Sequence, residues 1–231
     1  MSTEGTSSSS VNDDAQKQKA EFIKQETIHR EKWLSLERIT YKDPKGKVRT
    51  WEVVERTTKP QRAGVADAVA MATTVKRLLH YDSILLVRQF RPPLRCCTIE
   101  FPAGLVDSEE TVSEAAIREL KEETGYVGTI TSISPVVGMD PGVSASTLNL
   151  VFMQVDGDDP VNQRPVPNLD EGEFIEVIHA PLHELKEKLD ELSDAGDIVD
   201  SRVYTYAATL HQCQHKAEDV DLEQQKGLFK K

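Results

Sequence analysis

Apolar positions along this chain change their spacing several times, and each change marks a predicted element. Trp33 to Tyr41 alternates imperfectly and stops at the turn signal Asp43-Pro44-Lys45-Gly46. Arg49 to Thr57 resumes the alternation, so the two stretches predict a β-hairpin. Gly64 to Val75 and Ser83 to Phe90 are richer in Ala, Val, Ile and Leu and predict buried strands. A short strand over Thr98 to Phe101 should end in a turn at Pro102-Ala103-Gly104. The period then becomes helical. Thr111 and Glu114 fit a capping box, Val112 to Thr124 holds no Gly or Pro, and Gly125 supplies a left-handed stop. Strands are expected near 129–138, 146–155 and 173–179. One helix should start at Pro181, with Leu182, Leu185, Leu189 and Leu192 on a single face, and another should span about Ser201 to Gln212. The pattern predicts an α+β fold, a mixed β-sheet sandwiched between helices.

The ends differ from this middle. Residues 1–20, with Ser7 to Ser10 at their centre, lack the apolar area to offset ordering and are expected to form a disordered Ser-rich tail. Residues 214–231 read as a polar C-terminal tail. Between them an N-terminal β region, 21–62, precedes a main domain over 63–213.

Composition narrows the function. The net charge of -11 argues against a nucleic-acid groove. Three cysteines, Cys96, Cys97 and Cys213, show no zinc spacing and favour a reducing compartment. No run approaches the roughly 18 apolar residues of a membrane helix, and no apolar segment resembles a secretory signal. No membrane partner and a cytoplasmic location are expected, with a nuclear or mitochondrial fraction left open.

The helix over 112–124 carries the chemistry. With about 100° per residue from Val112, the residues Val112, Ala116, Ile117 and Leu120 span an apolar arc. Glu119, Glu122 and Glu123 lie beside it, at about 340°, 280° and 20°. Like charges so placed repel by a few tenths of a kcal/mol even on an exposed helix. Near a core the repulsion grows as the dielectric falls. A solvated acidic face, relieved by Arg118 and Lys121, is the plain reading. A hard cation is the chemical one: Mg²⁺ prefers oxygen donors shared with substrate phosphates, and it lowers the pKa of a bound water. The six histidines form no HExxH, and no P-loop or GxSxG elbow is present.

Gly104, five residues, Glu110, seven residues, then Arg118-Glu119-Leu120-Lys121-Glu122-Glu123-Thr124-Gly125-Tyr126 resembles the Nudix box, Gx₅Ex₇REUxEExGU. Every fixed position matches, and only the last apolar position departs, with Tyr126 where an aliphatic is commoner. The resemblance implies a metal site of Glu119, Glu122, Glu123 and the Ala103 carbonyl, holding Mg²⁺ with Mn²⁺ able to substitute. Arg118 and Glu110 would brace the loop and helix, and Gly104 and Gly125 would serve backbone geometry. Pro141, 16 residues after Gly125, and the segments around Arg49, Gln89, Ile99 and Gly172 resemble the ADP-ribose and ADP-sugar pyrophosphatases. That likeness implies ADP-ribose as substrate and a homodimer with exchanged N-terminal strands. Trp33 and Trp51, one from each subunit, would stack on adenine. Arg56 and Arg91 would hold phosphate and sugar oxygens, Glu100 would add a polar contact, and Met139 would line the pocket. A strand Trp is otherwise usually core. The likeness implies Glu173, on a loop over 165–173, as catalytic base, with Glu122 in the helix or the metal alone, lowering the pKa of the water, as the alternatives. Another nucleoside di- or triphosphate derivative, or a binding module without catalysis, are the rival readings.

Overall fold

The computed structural model describes residues 19–58 and 64–228, with side chains as far as residue 214. The expected Ser-rich tail lies outside the described residues, apart from Lys19 and Ala20. The chain forms two compact units: Met1–Thr58 with Asp140–Ala145, and Lys59–Met139 with Ser146–Lys231.

In the first unit, β1 (Glu21–Arg30), β2 (Leu34–Lys42) and β3 (Val48–Arg56) form an antiparallel meander. The predicted turn closes the β2–β3 hairpin: Asp43 Oδ1 accepts the N–H groups of Lys45 and Lys47, each at 2.9 Å, and Gly46 takes a φ of 82°. The strand β1 falls in the β region expected over 21–62, though no separate strand was delimited there. All its residues are exposed, so burial imposes no alternation on it; its ladder to β2 forms it instead. The central strand β2 buries Ser35, Glu37 and Thr40, whereas Phe22, Ile23, Leu34, Val48 and Trp51 stand exposed. No side chain of this sheet joins either buried apolar cluster.

The second unit holds a nine-stranded mixed sheet. Its members are β4 (Ala68–Lys76), β5 (Ser83–Arg91), β6 (Cys96–Glu100), β7 (Ala103–Leu105), β8 (Thr129–Ile133), β9 (Val137–Gly138), β10 (Thr147–Asp156), β11 (Ile175–Pro181) and β12 (Ile198–Val199). The long pairs alternate: β10 runs parallel to β4, and β11 antiparallel to β5. The strands β4 and β5 pair only at Thr74–Ile84 and Val75–Ser83. They then part, β7 taking the freed edge of β4 and β6 joining β5. The segment expected to be a turn, Pro102-Ala103-Gly104, is thus mostly strand, because the open edge of β4 offers it partners.

Strand alternation sorts the core into two layers. Val69, Met71 and Val75 of β4 pack with Leu85, Val151, Met153 and Val155 against Ala115, Ala116 and Leu120 of α1 (Val112–Thr124). Ala70, Ala72, Ile84, Leu86 and Ile99 face the other way. They meet Leu185 and Leu189 of α2 (Leu185–Asp194) and Val203 and Ala207 of α3 (Ser201–Leu228). The sheet is therefore sandwiched between helices, as expected, with α1 alone against one face. Each fully buried side chain such as Leu120 contributes about 1.5–3 kcal/mol. Two boundaries move. Pro181 closes β11, and a single 3₁₀ turn separates it from α2. The backbone of α3 runs to Leu228 rather than stopping near Gln212, since no Pro or Gly interrupts it before Gly227.

Candidate active site

The helix α1 begins and ends as its sequence dictates. Thr111 and Glu114 exchange both bonds of the capping box, and Gly125 stops the helix at a φ of 75°. Its buried face differs from the wheel drawn from the sequence. Ile117 is 45% exposed, while Ala115, Ala116, Leu120, Glu123 and Thr124 are buried. The face is rotated toward Ala115, which puts Glu123, at about 20° on the wheel, near its centre.

A buried carboxylate needs partners. Glu123 Oε2 accepts the Ala103 N–H at 2.9 Å. In the β7–β4 ladder, Met71 donates to the Pro102 carbonyl and Val106 to the Asp67 carbonyl. Residues in that register bond to β4, so the backbone polar groups of Ala103 and Leu105, between them, point the other way, toward α1. Leu105 accordingly gives its carbonyl to Arg118 Nη2 at 3.1 Å. The Ala103 carbonyl leaves on the side of its own N–H.

Arg118 organises the rest. It pairs with Glu110 through Nη2 at 2.6 Å and Nε at 3.1 Å, and its Nη1 reaches Glu119 at 2.8 Å and Glu122 at 3.0 Å. The Arg118 guanidinium holds the Glu110 carboxyl below its usual range. Glu119 and Glu123 go the other way. Burial raises both, Glu123 to about 8, and the neighbouring carboxylate of Glu173 pushes in the same direction. A Cβ at Gly104 would overlap the Glu119 carboxylate, so glycine leaves that carboxylate its place beside β7. A Cβ at Gly125 would overlap the backbone of Val166, where the 165–173 loop crosses the helix end; there the Asn168 N–H donates to the Glu122 carbonyl at 2.8 Å.

Among the described residues no three His, Cys, Asp or Glu side chains converge as a formed metal cluster. The donors nevertheless fit a hard cation by type. They are carboxylates with a carbonyl nearby, they carry surplus negative charge, and one is buried, which favours its protonation.

Residue matches locate this constellation in a known group. The profile of the NUDIX domain matches residues 66–200, which include the whole of α1 and the loop before it. The chain belongs to the NUDIX family. An ADP-sugar pyrophosphatase of Mus musculus is 43% identical over 197 residues, 85% of this chain and 89% of that one. An ADP-ribose pyrophosphatase of Saccharomyces cerevisiae is 45% identical over 177 residues, 76% of each. The crystal structure of an ADP compounds hydrolase superposes with a TM-score of 0.58 over 87% of this chain and 96% of that one, at 23% identity, a likeness of fold. The one departure from the Nudix box now has a cause. The Tyr126 ring is buried in the core beneath α1, while its hydroxyl reaches His179 Nε2 at 3.2 Å and Arg77 Nη2 at 3.4 Å.

The other expected residues fall into two groups. In the Nudix unit, Arg91 and Glu100 bind each other through two bonds of 2.7 Å, with the Thr98 hydroxyl donating to Glu100. Burial works to raise the Glu100 carboxyl, but Arg91 and Thr98 hold it low. Arg91 also acts electrostatically on Glu123, so this pair borders the acidic cluster. Asp200, paired with Arg202 at 2.6 Å, acts on both Arg91 and Glu100; no spacing along the chain marks it, because it arrives from the start of α3. Glu173 is exposed on its loop, and Met139 is 43% exposed. In the N-terminal unit, Trp33 and Trp51 are 60% and 52% exposed, so neither is core. Trp51 Nε1 donates to the Gly142 carbonyl at 3.0 Å, and Lys32 Nζ lies 4.3 Å over the Trp33 ring. Arg56 is exposed at the end of β3, opposite Leu34.

Proposed function

We propose that this Nudix hydrolase cleaves the pyrophosphate of ADP-ribose and related ADP-sugars, giving AMP and ribose 5-phosphate from ADP-ribose. The observation that carries the reading is the glutamate-bearing helix itself: Glu123, buried on α1, accepts the Ala103 N–H at 2.9 Å, and Arg118 holds Glu119 and Glu122 at 2.8 and 3.0 Å. The relatives' names supply the substrate class. Mg²⁺, held by Glu119, Glu122, Glu123 and the Ala103 carbonyl, with Mn²⁺ as substitute, would polarise phosphate oxygens and acidify water.

The chain's own groups divide the remaining work. Glu173 takes a proton from the attacking water, with Glu122 as the alternative base. Arg118 keeps its Glu110 pair and so anchors the helix to the preceding loop. Arg91, prealigned by Glu100, offers its planar guanidinium to phosphate and sugar oxygens. Trp33 and Trp51 supply ring faces for adenine, and Arg56 and Met139 complete the contacts.

Strand register supports a homodimer. Trp33 lies level with Thr57, whose N–H it accepts, and Trp51 lies level with Ile39. Six residues of strand separate the two levels, roughly 20 Å. One planar base cannot be clasped between rings that far apart, whereas rings from two chains with exchanged N-terminal strands can meet. The exposed apolar residues of β1–β3 fit such an exchange.

Incubation with ADP-ribose, with and without Mg²⁺, followed by chromatography of the products, tests the assignment. AMP and ribose 5-phosphate should appear only with metal, and Glu122→Gln should lower turnover by at least about 10²-fold. Hydrolysis of a nucleoside triphosphate in place of ADP-ribose would retain the acidic helix and overturn the substrate.

A further inference from the structure

We propose that the turn Asp140–Ala145 is the positioning element for Trp51, fixing the indole so that it offers its ligand a ring face and no hydrogen-bond donor. The proposal rests on the reading that Trp51 stacks on the base of an ADP-sugar.

An indole exposed by half would ordinarily bond water through its N–H and sample several rotamers. Here the N–H is taken by the Gly142 carbonyl at 3.0 Å. That carbonyl belongs to a tight turn. The Asp140 carbonyl accepts the N–H groups of Val143 at 3.1 Å and Ser144 at 2.8 Å, and Pro141 supplies a preset φ between them. The turn is in turn fixed to β3, an edge strand. Val54 donates to the Val143 carbonyl at 2.9 Å, Ala145 donates to the Val54 carbonyl at 3.1 Å, and Val54 and Ser144 form a parallel bridge. Four backbone bonds thus define where the Gly142 oxygen lies, and that oxygen sets the indole plane.

The ring itself stays accessible. Two open clefts border Trp51. One of about 380 Å³ is lined by Thr50, Glu52 and Gly142; the other, of about 370 Å³, is walled by Ile39, Tyr41, Val53 and Pro141. A planar ligand can reach a ring face, but the edge donor is spent. Trp51 therefore selects for an aromatic plane and not for the hydrogen-bonding edge of one base. The turn contains none of the groups assigned to the phosphoanhydride, so loosening it should weaken binding and spare the chemical step.

Pro141→Gly frees the turn while leaving every atom of the Gly142 carbonyl in place. Pro44→Gly is the control, since it makes the same substitution in the β2–β3 turn, away from the Gly142 carbonyl. In a Trp33→Phe background Trp51 is the sole tryptophan. Its time-resolved anisotropy and its quenching by ADP-ribose can then be read directly, with steady-state kinetics in the otherwise unaltered chain. Pro141→Gly should speed the local rotation of Trp51 and raise KM roughly three- to tenfold with kcat held within about twofold. Pro44→Gly should change neither. An unchanged KM despite faster indole rotation would overturn the proposal. So would a Pro44→Gly variant that behaves like Pro141→Gly, or a loss of kcat and thermal midpoint together. If ADP-ribose fails to quench Trp51 with the native turn intact, the stacking reading of the function is what fails, and the positioning role falls with it.

Discussion

Glu123 is buried with one N–H donor, on a helix that carries two more box glutamates, and its carboxyl is raised from 4.5 to about 8. Between those values the folded, metal-free protein holds a proton that the unfolded chain has lost. The unfolded state then binds fewer protons, so stability falls as pH rises from about 4.5 to about 8. The thermal midpoint of metal-free protein should decline across that window, and Glu123→Gln should flatten the decline. Adding Mg²⁺ at the alkaline end should raise the midpoint of the parent chain and not that of the variant. Gly104 makes a separable prediction. The atoms a Cβ there meets first belong to the movable end of Glu119, so Gly104→Ala should displace the carboxylate at modest cost in stability. Turnover should drop by about 10²-fold or more while the thermal midpoint shifts only a few degrees. A large midpoint loss with normal turnover would contradict this account.

At the scale of elements, α1 was legible almost to the residue, because its capping box, its uninterrupted interior and its glycine stop are local signals. Thr111→Ala should accordingly cost about 1 kcal/mol in denaturant unfolding. The helix's buried face was less legible. Ile117 is apolar yet exposed and Glu123 is charged yet buried, where the Ala103 N–H of β7 partners it, a contact that helix periodicity does not encode. The β7 strand and β1 were hidden for a common reason: neither carries a periodic burial pattern, and each exists because a neighbouring strand had an edge to offer. Side-chain partners across distant elements, such as Asp200 beside Arg91 and Glu100, leave no mark in sequence spacing.

Over the whole molecule, the N-terminal sheet buries polar residues in its middle strand and exposes apolar ones, the reverse of a self-sufficient sheet. If each base site takes Trp33 from one subunit and Trp51 from the other, two defective chains can complement. Co-refolded Trp33→Ala and Trp51→Ala chains should form mixed dimers, half of all dimers, each with one intact site of two. Activity should return to about a quarter of the parent level. No recovery on mixing would mean that both rings serve from one chain. The sequence by itself determined the reaction class, because the spacing of Gly104, Glu110, Arg118 and the three glutamates is a local code that one helix and its leading loop can express. It also determined the alternation that puts the sheet between helices. Only the tertiary structure decided the depth of Glu123, the pairing of Arg91 with Glu100 and the capture of the Trp51 indole by Gly142. Those depend on segments far apart in the chain, and the energy of burial and hydrogen bonding is settled only once they meet.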